Sequence, residues 1–256
     1  MIEALEAYFD ETGMHMDPHL ICVAGYLFTK AGVEEFNDQW VSRVKPILPA
    51  AASVFHASKC AGRHDEFTGL TIGQSDRIFE TMVSITKDAM SFGVIVFIDP
   101  KEYEAELQRQ PNIRRFVGSA YSICALRCAE YVSGWVGDNG MPGDIFYRFE
   151  DGCAHAGEAS DLLSKIGQIP QLKVQYRYGG HSFLSKLDAL PFQAADLLVW
   201  EWQHAFVTAT VDGHHERRWR TNLKSLVDKP HKAERLSNVG ISIKAMVNSF
   251  YGLTGG

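Results

Sequence analysis

The order of apolar segments constrains the fold of this chain most. Two apolar runs typical of β-strands, residues 4–10 and 20–28, stand at the start, and the polar stretch between them contains Gly13 and Pro18. A short gap with turn-forming residues favours a β-hairpin. Helix-like and strand-like stretches then alternate, which predicts an α/β fold: a mixed sheet opened by a hairpin and flanked by helices, with helical insertions.

Apolar residues spaced by three or four predict the helices, and runs rich in β-branched and aromatic residues predict the strands. The predicted helices are 32–48, 72–90, 113–136, 155–166 and 190–208; the predicted later strands are 93–98, 144–149 and 172–178, with a short one at 53–55. Asp188 is the predicted N-cap of the last helix, with Pro191 in its first turn. We expect one domain over residues 1–210 and a basic, mainly helical C-terminal extension, 211–256, packed on it.

Composition narrows the class of protein. With 256 residues, 46% hydrophobic and 22% charged, the chain resembles an ordinary globular domain. Its net charge of −6 argues against non-specific coating of nucleic acid, which depends on many contacts from Lys and Arg to phosphates. No apolar run approaches the ~20 residues that cross a bilayer, and the N-terminus is acidic, unlike a signal peptide. We therefore expect a cytoplasmic protein with no membrane partner, whose five cysteines are free thiols.

Asp196 is the most informative acidic residue. Its neighbours in the sequence, residues 194–200, are otherwise all apolar, so a helix here has almost no polar face to carry it. Carboxylates avoid burial unless they are paired or bind metal. The alternative is that Asp196 bonds to a backbone amide or an arginine in the core. Gln193 lies three residues earlier on the same helix face and is predicted to contact substrate.

Two further acidic pairs stand where predicted strands end. Asp10 and Glu11 close the first strand, and Glu150 and Asp151 follow the strand 144–149. Side chains alternate along a strand, so Asp10 and Glu11 should not both point at one centre, and Asp10 is the stronger candidate. For each pair the alternative is an acidic turn leading into a glycine.

If these groups converge, they make a hard oxygen site suited to Mg²⁺ or Mn²⁺. The predicted metal ligands are Asp10, Glu150, Asp151 and Asp196. A carboxylate cluster of this kind supports phosphodiester hydrolysis, in which one ion activates the attacking water and a second, ~3.5–4 Å away, stabilises the leaving oxygen.

The chain resembles a known family in two motifs. Residues 8–13 (YFDETG), followed by the strand 20–28, and residues 192–198 (FQAADLL) resemble the opening "DESG"-like and closing "LQxADL"-like motifs of the DUF3800 family. That family is largely uncharacterised, bacterial and phage-borne, and is regarded as ribonuclease H-like. This sequence departs from the motifs in having Thr12 in place of serine and Phe192 in place of an aliphatic residue.

The resemblance implies a ribonuclease H-like fold with a nuclease-like metal site, and a phage-defence or mobile-element setting. It carries over Asp10, Glu11 and Asp196 as site residues, and His56 is similar to a mid-chain histidine of that family. The general ribonuclease H-like pattern, with a carboxylate at the end of a central strand, places Glu150 and Asp151. His56 is then a candidate for proton transfer beside the carboxylates. A zinc site formed by His56, Cys60 and His64 with Asp65 is the alternative, and an ordinary loop is another.

A basic segment near the C-terminus is a candidate nucleic-acid contact. Residues 214–235 hold seven Lys or Arg against three acids, a local balance of +4. Within it we expect Arg217, Arg218, Trp219 and Arg220 to bind substrate, the arginines through backbone phosphates and the tryptophan by stacking on a base. A solvated helix face is the alternative.

The leading hypothesis is a Mg²⁺- or Mn²⁺-dependent nuclease that uses Asp10, Glu11, Glu150, Asp196 and His56 to cleave RNA or DNA. One rival is a non-catalytic binding or regulatory module with the same fold; another is a metal-dependent hydrolase of a small phosphorylated metabolite. Clustered carboxylates in an open cleft favour the enzyme, whereas an Asp196 tied to an arginine in a closed core favours the module. The sequence leaves open a homodimer or a partner protein.

Overall fold

The computed structural model describes residues 4–12, 20–109, 118–211 and 221–237. In these residues six strands form one sheet, in the order β5-β4-β1-β2-β3-β6. The strands are β1 (Leu5–Thr12), β2 (Ile21–Thr29), β3 (Phe92–Ile98), β4 (Ile145–Glu150), β5 (Tyr178–Leu184) and β6 (His231–Arg235). β2 is antiparallel to β1 and β3, and the other neighbouring pairs are parallel.

The predicted hairpin is confirmed. β1 and β2 pair from Leu5 opposite Thr29 to Thr12 opposite Cys22. Gly25 lies opposite Phe9, where the strands approach closely: a Cβ on Gly25 would lie 1.9 Å from the backbone oxygen of Tyr8. The hairpin register therefore depends on glycine at this position.

Helices cover both faces of the sheet. The longer ones are α1 (Lys30–Gln39), α3 (Ile72–Ala89), α4 (Pro100–Arg109), α5 (Ala120–Asp138), α6 (Ala156–Gln168) and α8 (Phe192–Val211). The shorter ones are α2 (Ala57–Gly62), α7 (Pro170–Gln175) and α9 (Thr221–Val227). None of these helices is long and apolar enough to cross a membrane.

Alternation along β1 sends side chains into two separate cores. Leu5, Ala7 and Phe9 pack on the face covered by α5 and α6. Tyr8 packs on the opposite face with residues of α1, α3 and α8. Asp10 follows Tyr8 at the next position on that side, so the strand directs its carboxylate toward α8.

Two predicted strands are wrong. Residues 172–178 alternate apolar and polar, yet 170–175 form α7, because Pro170 is suited to a first helical turn and the buried Leu172 and Tyr176 are four residues apart. The strand begins later, at Tyr178. Residues 53–55 form no strand and lead into α2.

Helix boundaries also differ from the predictions. The regular part of the helix predicted over 32–48 ends at Gln39 and continues as a π-turn, Trp40–Val44, and a 3-10 turn, Lys45–Ile47. Asp188 does not cap the last helix: its carboxylate accepts hydrogen bonds from the backbone and hydroxyl of Ser185, and α8 begins only at Phe192.

The described part of the C-terminal segment contributes to the same sheet. α9 packs against α3 and α8, and β6 adds to the sheet edge beside β3, with Gly93 opposite His231. The sequence did not predict β6. The predicted fold class is confirmed in its architecture: a mixed α/β sheet opened by a hairpin and flanked by helices.

Candidate functional site

A cleft of about 360 Å³ opens at the ends of β1 and β4, beside the start of α8. Its lining is strongly acidic and combines distant parts of the chain. The lining residues are Asp10, Glu11, Thr12, His56, Ser58, Glu150, Asp151, Gly152, Lys186, Asp196, Val199, Trp200 and Gln203. All five carboxylates predicted from the sequence, and His56, therefore lie in one cleft.

The parallel pairing of β1 with β4 brings Asp10 and Glu150 together. Phe9 pairs with Phe149, so the two acids come next on neighbouring strands. Ile145, Tyr147 and Phe149 face the α5 core, which leaves Glu150 on the α8 side with Asp10. Asp10 is buried, and its Oδ1 accepts a 2.7 Å hydrogen bond from the backbone N–H of Glu11.

Asp196 comes to the same point from α8. Its Oδ2 accepts a 2.9 Å hydrogen bond from the backbone N–H of Ala57, at the start of α2. The same oxygen lies 3.7 Å from Nδ1 of His56. Asp196 thus bonds to a backbone amide, as the core alternative proposed, and also lines the cleft.

Lys186 joins the three carboxylates, and the sequence did not single it out. Its Nζ lies 2.8 Å from Glu150 Oε2, 3.1 Å from Asp10 Oδ2 and 3.5 Å from Asp196 Oδ2. Only 8% of this side chain is exposed. A buried lysine retains its charge when carboxylates surround it, so the ammonium partly neutralises the cluster.

The surroundings shift the pKa values of these groups in opposite directions. Burial raises the pKa of Asp10 well above its ordinary value, with Lys186 opposing and the neighbouring Asp196 and Glu150 adding to the rise. For Asp196 burial also acts upward, but Lys186, His56 and the Ala57 N–H outweigh it, so its pKa is lowered. The pKa of Lys186 is raised, because the three carboxylates outweigh its burial. One lysine therefore does not fully offset the burial of Asp10 beside two other carboxylates.

Glu11 and Asp151 form a second acidic pair on the other side of the strand ends. Burial raises the pKa of Glu11 to about 8, with the charges of Asp10 and Asp151 adding to the effect. Glu11 Oε2 is buried and has no hydrogen-bond partner among the described residues. Asp151 is exposed at the cleft edge.

The donor set fits a hard divalent cation in its chemistry. Five carboxylates line one cleft, and one of them has a buried oxygen without a partner. As they stand, no three His, Cys, Asp or Glu side chains in the described part of the chain are grouped as a metal site. The Lys186 ammonium lies instead where Asp10, Glu150 and Asp196 meet.

Gln193 has a structural place rather than one in the cleft wall. It is fully buried, and its Oε1 accepts hydrogen bonds from Trp40 Nε1 at 2.8 Å and from the backbone N–H of Phe55 at 2.7 Å. These bonds fix the chain immediately before His56. Arg217, Arg218, Trp219 and Arg220 lie outside the described residues.

The zinc alternative finds no support in the geometry near His56. Cys60 is buried against Ser75, with its Sγ 3.6 Å from the serine hydroxyl. His64 instead lies 3.3 Å from the Asp65 carboxylate, at the surface. His56 lines the cleft beside Asp196.

α8 also supplies a polar and aromatic wall of the cleft, which was not predicted from the sequence. Trp200 and Gln203 line the cleft, and the hydroxyl of Thr12 donates a hydrogen bond to Gln203 Oε1. Trp200 stacks on His204, with ring centroids 5.3 Å apart. The signal was present in the helical spacing, since Gln203 lies seven residues, two turns, after Asp196.

No family model matches the chain, and no curated protein sequence matches it. Among solved structures, the chain is similar to a chain in the structure of the PCNA:RNase HII complex from Archaeoglobus fulgidus, with 10% identity and a TM-score of 0.39, over 88% of this chain and 87% of that one. A likeness this distant carries no functional inference.

Proposed function

We propose that this protein is a divalent-metal-dependent nuclease that hydrolyses phosphodiester bonds of RNA or DNA. The observation that carries the proposal is the convergence of Asp10, Glu150 and Asp196 on one point of an open cleft. Such a cluster favours the enzyme over the binding module, and its cation is a lysine in the cleft rather than an arginine in a closed core. Membership of the DUF3800 family is part of the proposal and rests on the two sequence motifs.

Mg²⁺ or Mn²⁺ is the cofactor we propose. Carboxylates of Asp10, Glu150 and Asp196, with Glu11 and Asp151, are the residues that would hold it. When bound, such an ion supplies Lewis acidity toward a phosphoryl oxygen and a water of lowered pKa. In its absence the same carboxylates repel a phosphodiester, so metal dependence should be absolute.

The chain's own residues have separable tasks. His56, whose Nδ1 faces Asp196, is placed to hold a proton at the cleft and pass it to a leaving oxygen. Lys186 holds the three carboxylates together against their mutual repulsion. Trp200 lines the cleft wall, where it is placed to contact a base of the substrate.

The test is cleavage of labelled single- and double-stranded RNA and DNA by chelator-stripped protein, with and without Mg²⁺ or Mn²⁺. Asp10→Asn and Asp196→Asn keep side-chain size and should lower the rate at least about 100-fold, the size of effect seen when a group that stabilises transition-state charge is lost. Asp161→Asn, at an exposed position of α6, is the matched control and should leave the rate unchanged. Circular dichroism confirms folding of each variant.

Cleavage that survives both cleft substitutions contradicts the proposal. A second candidate, hydrolysis of a small phosphorylated metabolite, is favoured by the cleft volume, which lies at the lower end of small-ligand pockets. The same protein should then hydrolyse a small phosphodiester such as bis-p-nitrophenyl phosphate and no polymer. Failure to bind Mn²⁺ or to cleave any of these substrates favours the non-catalytic module.

A further inference from the structure

The Lys186 ammonium lies at the point where three carboxylates meet, a place typical of a metal ion. We infer that Lys186 is a permanent cation of the site and takes the place of the second ion of a two-metal centre. The cleft then binds a single divalent ion beside the ammonium. The inference rests on the proposed metal-dependent function and concerns the number of ions.

The contacts of Lys186 match the number of its donors. An ammonium carries three N–H donors and no acceptor. Asp10, Glu150 and Asp196 each present one oxygen to it, at 3.1, 2.8 and 3.5 Å. Three carboxylate oxygens therefore surround an ammonium that has three donors, and the ammonium links β1, β4 and α8 as a bound cation would.

Burial holds Lys186 in place. The side chain is 8% exposed, and its partners Asp10 and Asp196 are buried too. A divalent ion that displaced the ammonium would leave a buried lysine charge without a partner, which is strongly unfavourable. Binding beside the ammonium avoids that cost.

The cleft retains carboxyl groups for one such ion. Five carboxyl groups line it beside the single ammonium of Lys186. Glu11 and Asp151 lie on the other side of the strand ends, have no ion pair with Lys186 among the described contacts, and include the buried, unpartnered Glu11 Oε2. This pair, with the neighbouring carboxyl groups of Asp10 and Glu150, is where the single ion should bind.

The experiment counts Mn²⁺ ions per chain in the full-length, chelator-stripped protein, by the loss of the free Mn²⁺ resonance in electron paramagnetic resonance and by calorimetry. Lys186→Met removes the ammonium while keeping an unbranched side chain. Lys101→Met, at an exposed position of α4, is the matched control. We expect one ion in the wild type and in Lys101→Met, and two in Lys186→Met, with the spin–spin broadening of a close Mn²⁺ pair only in the last.

Two ions in the wild type would overturn the inference while leaving the proposed function intact, and that count needs no variant to fold. One ion in a folded Lys186→Met protein would overturn it too, because removal of the ammonium would then have opened no second metal site. If Lys186→Met does not fold, Lys186→Gln, which keeps a polar group among the carboxylates, takes its place. No Mn²⁺ binding in any of these proteins would overturn the inference together with the metal dependence in the proposed function.

Discussion

The side-chain carbonyl of Gln193 accepts a 2.7 Å hydrogen bond from the backbone N–H of Phe55, although 138 positions separate the two residues. The same oxygen accepts a bond from the indole of Trp40. α8 therefore does two things within one turn: it presents Asp196 to the cleft and fixes the chain that carries His56. The position of His56 depends on a glutamine that does not line the cleft.

Replacing Gln193 should be costly for stability. Gln193→Leu preserves size but leaves the Phe55 N–H and the Trp40 indole N–H buried without an acceptor. Each orphaned donor costs about 1–3 kcal/mol, so we expect a loss of roughly 2–6 kcal/mol in the free energy of unfolding, measured by urea denaturation. Gln108→Leu, exposed on α4, should change it by less than about 0.5 kcal/mol. Equal effects at the two positions would show that these hydrogen bonds contribute nothing.

The raised pKa of Glu11 should make stability fall with rising pH. Its folded pKa of about 8 exceeds the ordinary value of 4.5, so between these values the folded protein holds a proton that the unfolded chain has lost. Stability then decreases as pH rises through this window. In the presence of a chelator, the free energy of unfolding should fall as pH rises from about 5 to about 9, and it should fall by at least about 2 kcal/mol less in Glu11→Gln than in the wild type. Each unit of pKa shift corresponds to about 1.36 kcal/mol.

Urea denaturation at several pH values measures this difference. Glu80→Gln, at an exposed position of α3, should follow the wild type. Parallel pH profiles for Glu11→Gln and the wild type would mean that Glu11 is ionised in the folded protein at neutral pH.

Two glycines should respond oppositely to alanine. A Cβ on Gly25 would lie 1.9 Å from the Tyr8 backbone oxygen, so Gly25→Ala must separate β1 from β2 and should cost about 3 kcal/mol or more. Gly134, inside α5, has no atom within 4 Å of an added Cβ. Gly134→Ala should therefore raise stability by about 0.5–1 kcal/mol through helix propensity. Thermal melts distinguish the two, and a stable Gly25→Ala protein would contradict the observed hairpin register.

The cysteines should be unreactive in the folded protein. All five are free and buried, and burial raises the pKa of each thiol, that of Cys153 to about 11. Because the thiolate is the reacting species, we expect the native protein to release no colour with Ellman's reagent within minutes at mildly alkaline pH. The unfolded protein should titrate five thiols. A thiol that reacts rapidly in the native state would show that its surroundings open.

The sequence predicted the hairpin and the carboxylates because both depend on local signals. Strand ends carrying Asp10 and Glu150 are visible as apolar runs that stop at an acid, and Asp196 is visible as one acid in an apolar helix. Parallel pairing of β1 with β4 then brings the first two together, a consequence of topology rather than of any single residue.

Lys186 was not predictable in the same way. It lies in the turn after β5, and β5 has the sequence YGGHSFL, whose two glycines weaken strand propensity. The strand was predicted instead over residues 172–178, just before β5, because these residues alternate between apolar and polar. β6, with the polar sequence HKAER, is an edge strand with one neighbour and so lacks the apolar pattern by which central strands are recognised.

The central place of β1 in the sheet sets an order of events during synthesis. Leu5 pairs with Thr29 on one side and with Ile145 on the other. At ~5–20 residues per second on the ribosome, the second edge of β1 stays open for roughly 6–23 seconds after the hairpin can form. Contacts this distant along the chain also slow folding. Asp10 therefore lies at an unpaired strand edge until β4 has been synthesised. The cleft cannot form until the residues of α8 have also left the ribosome.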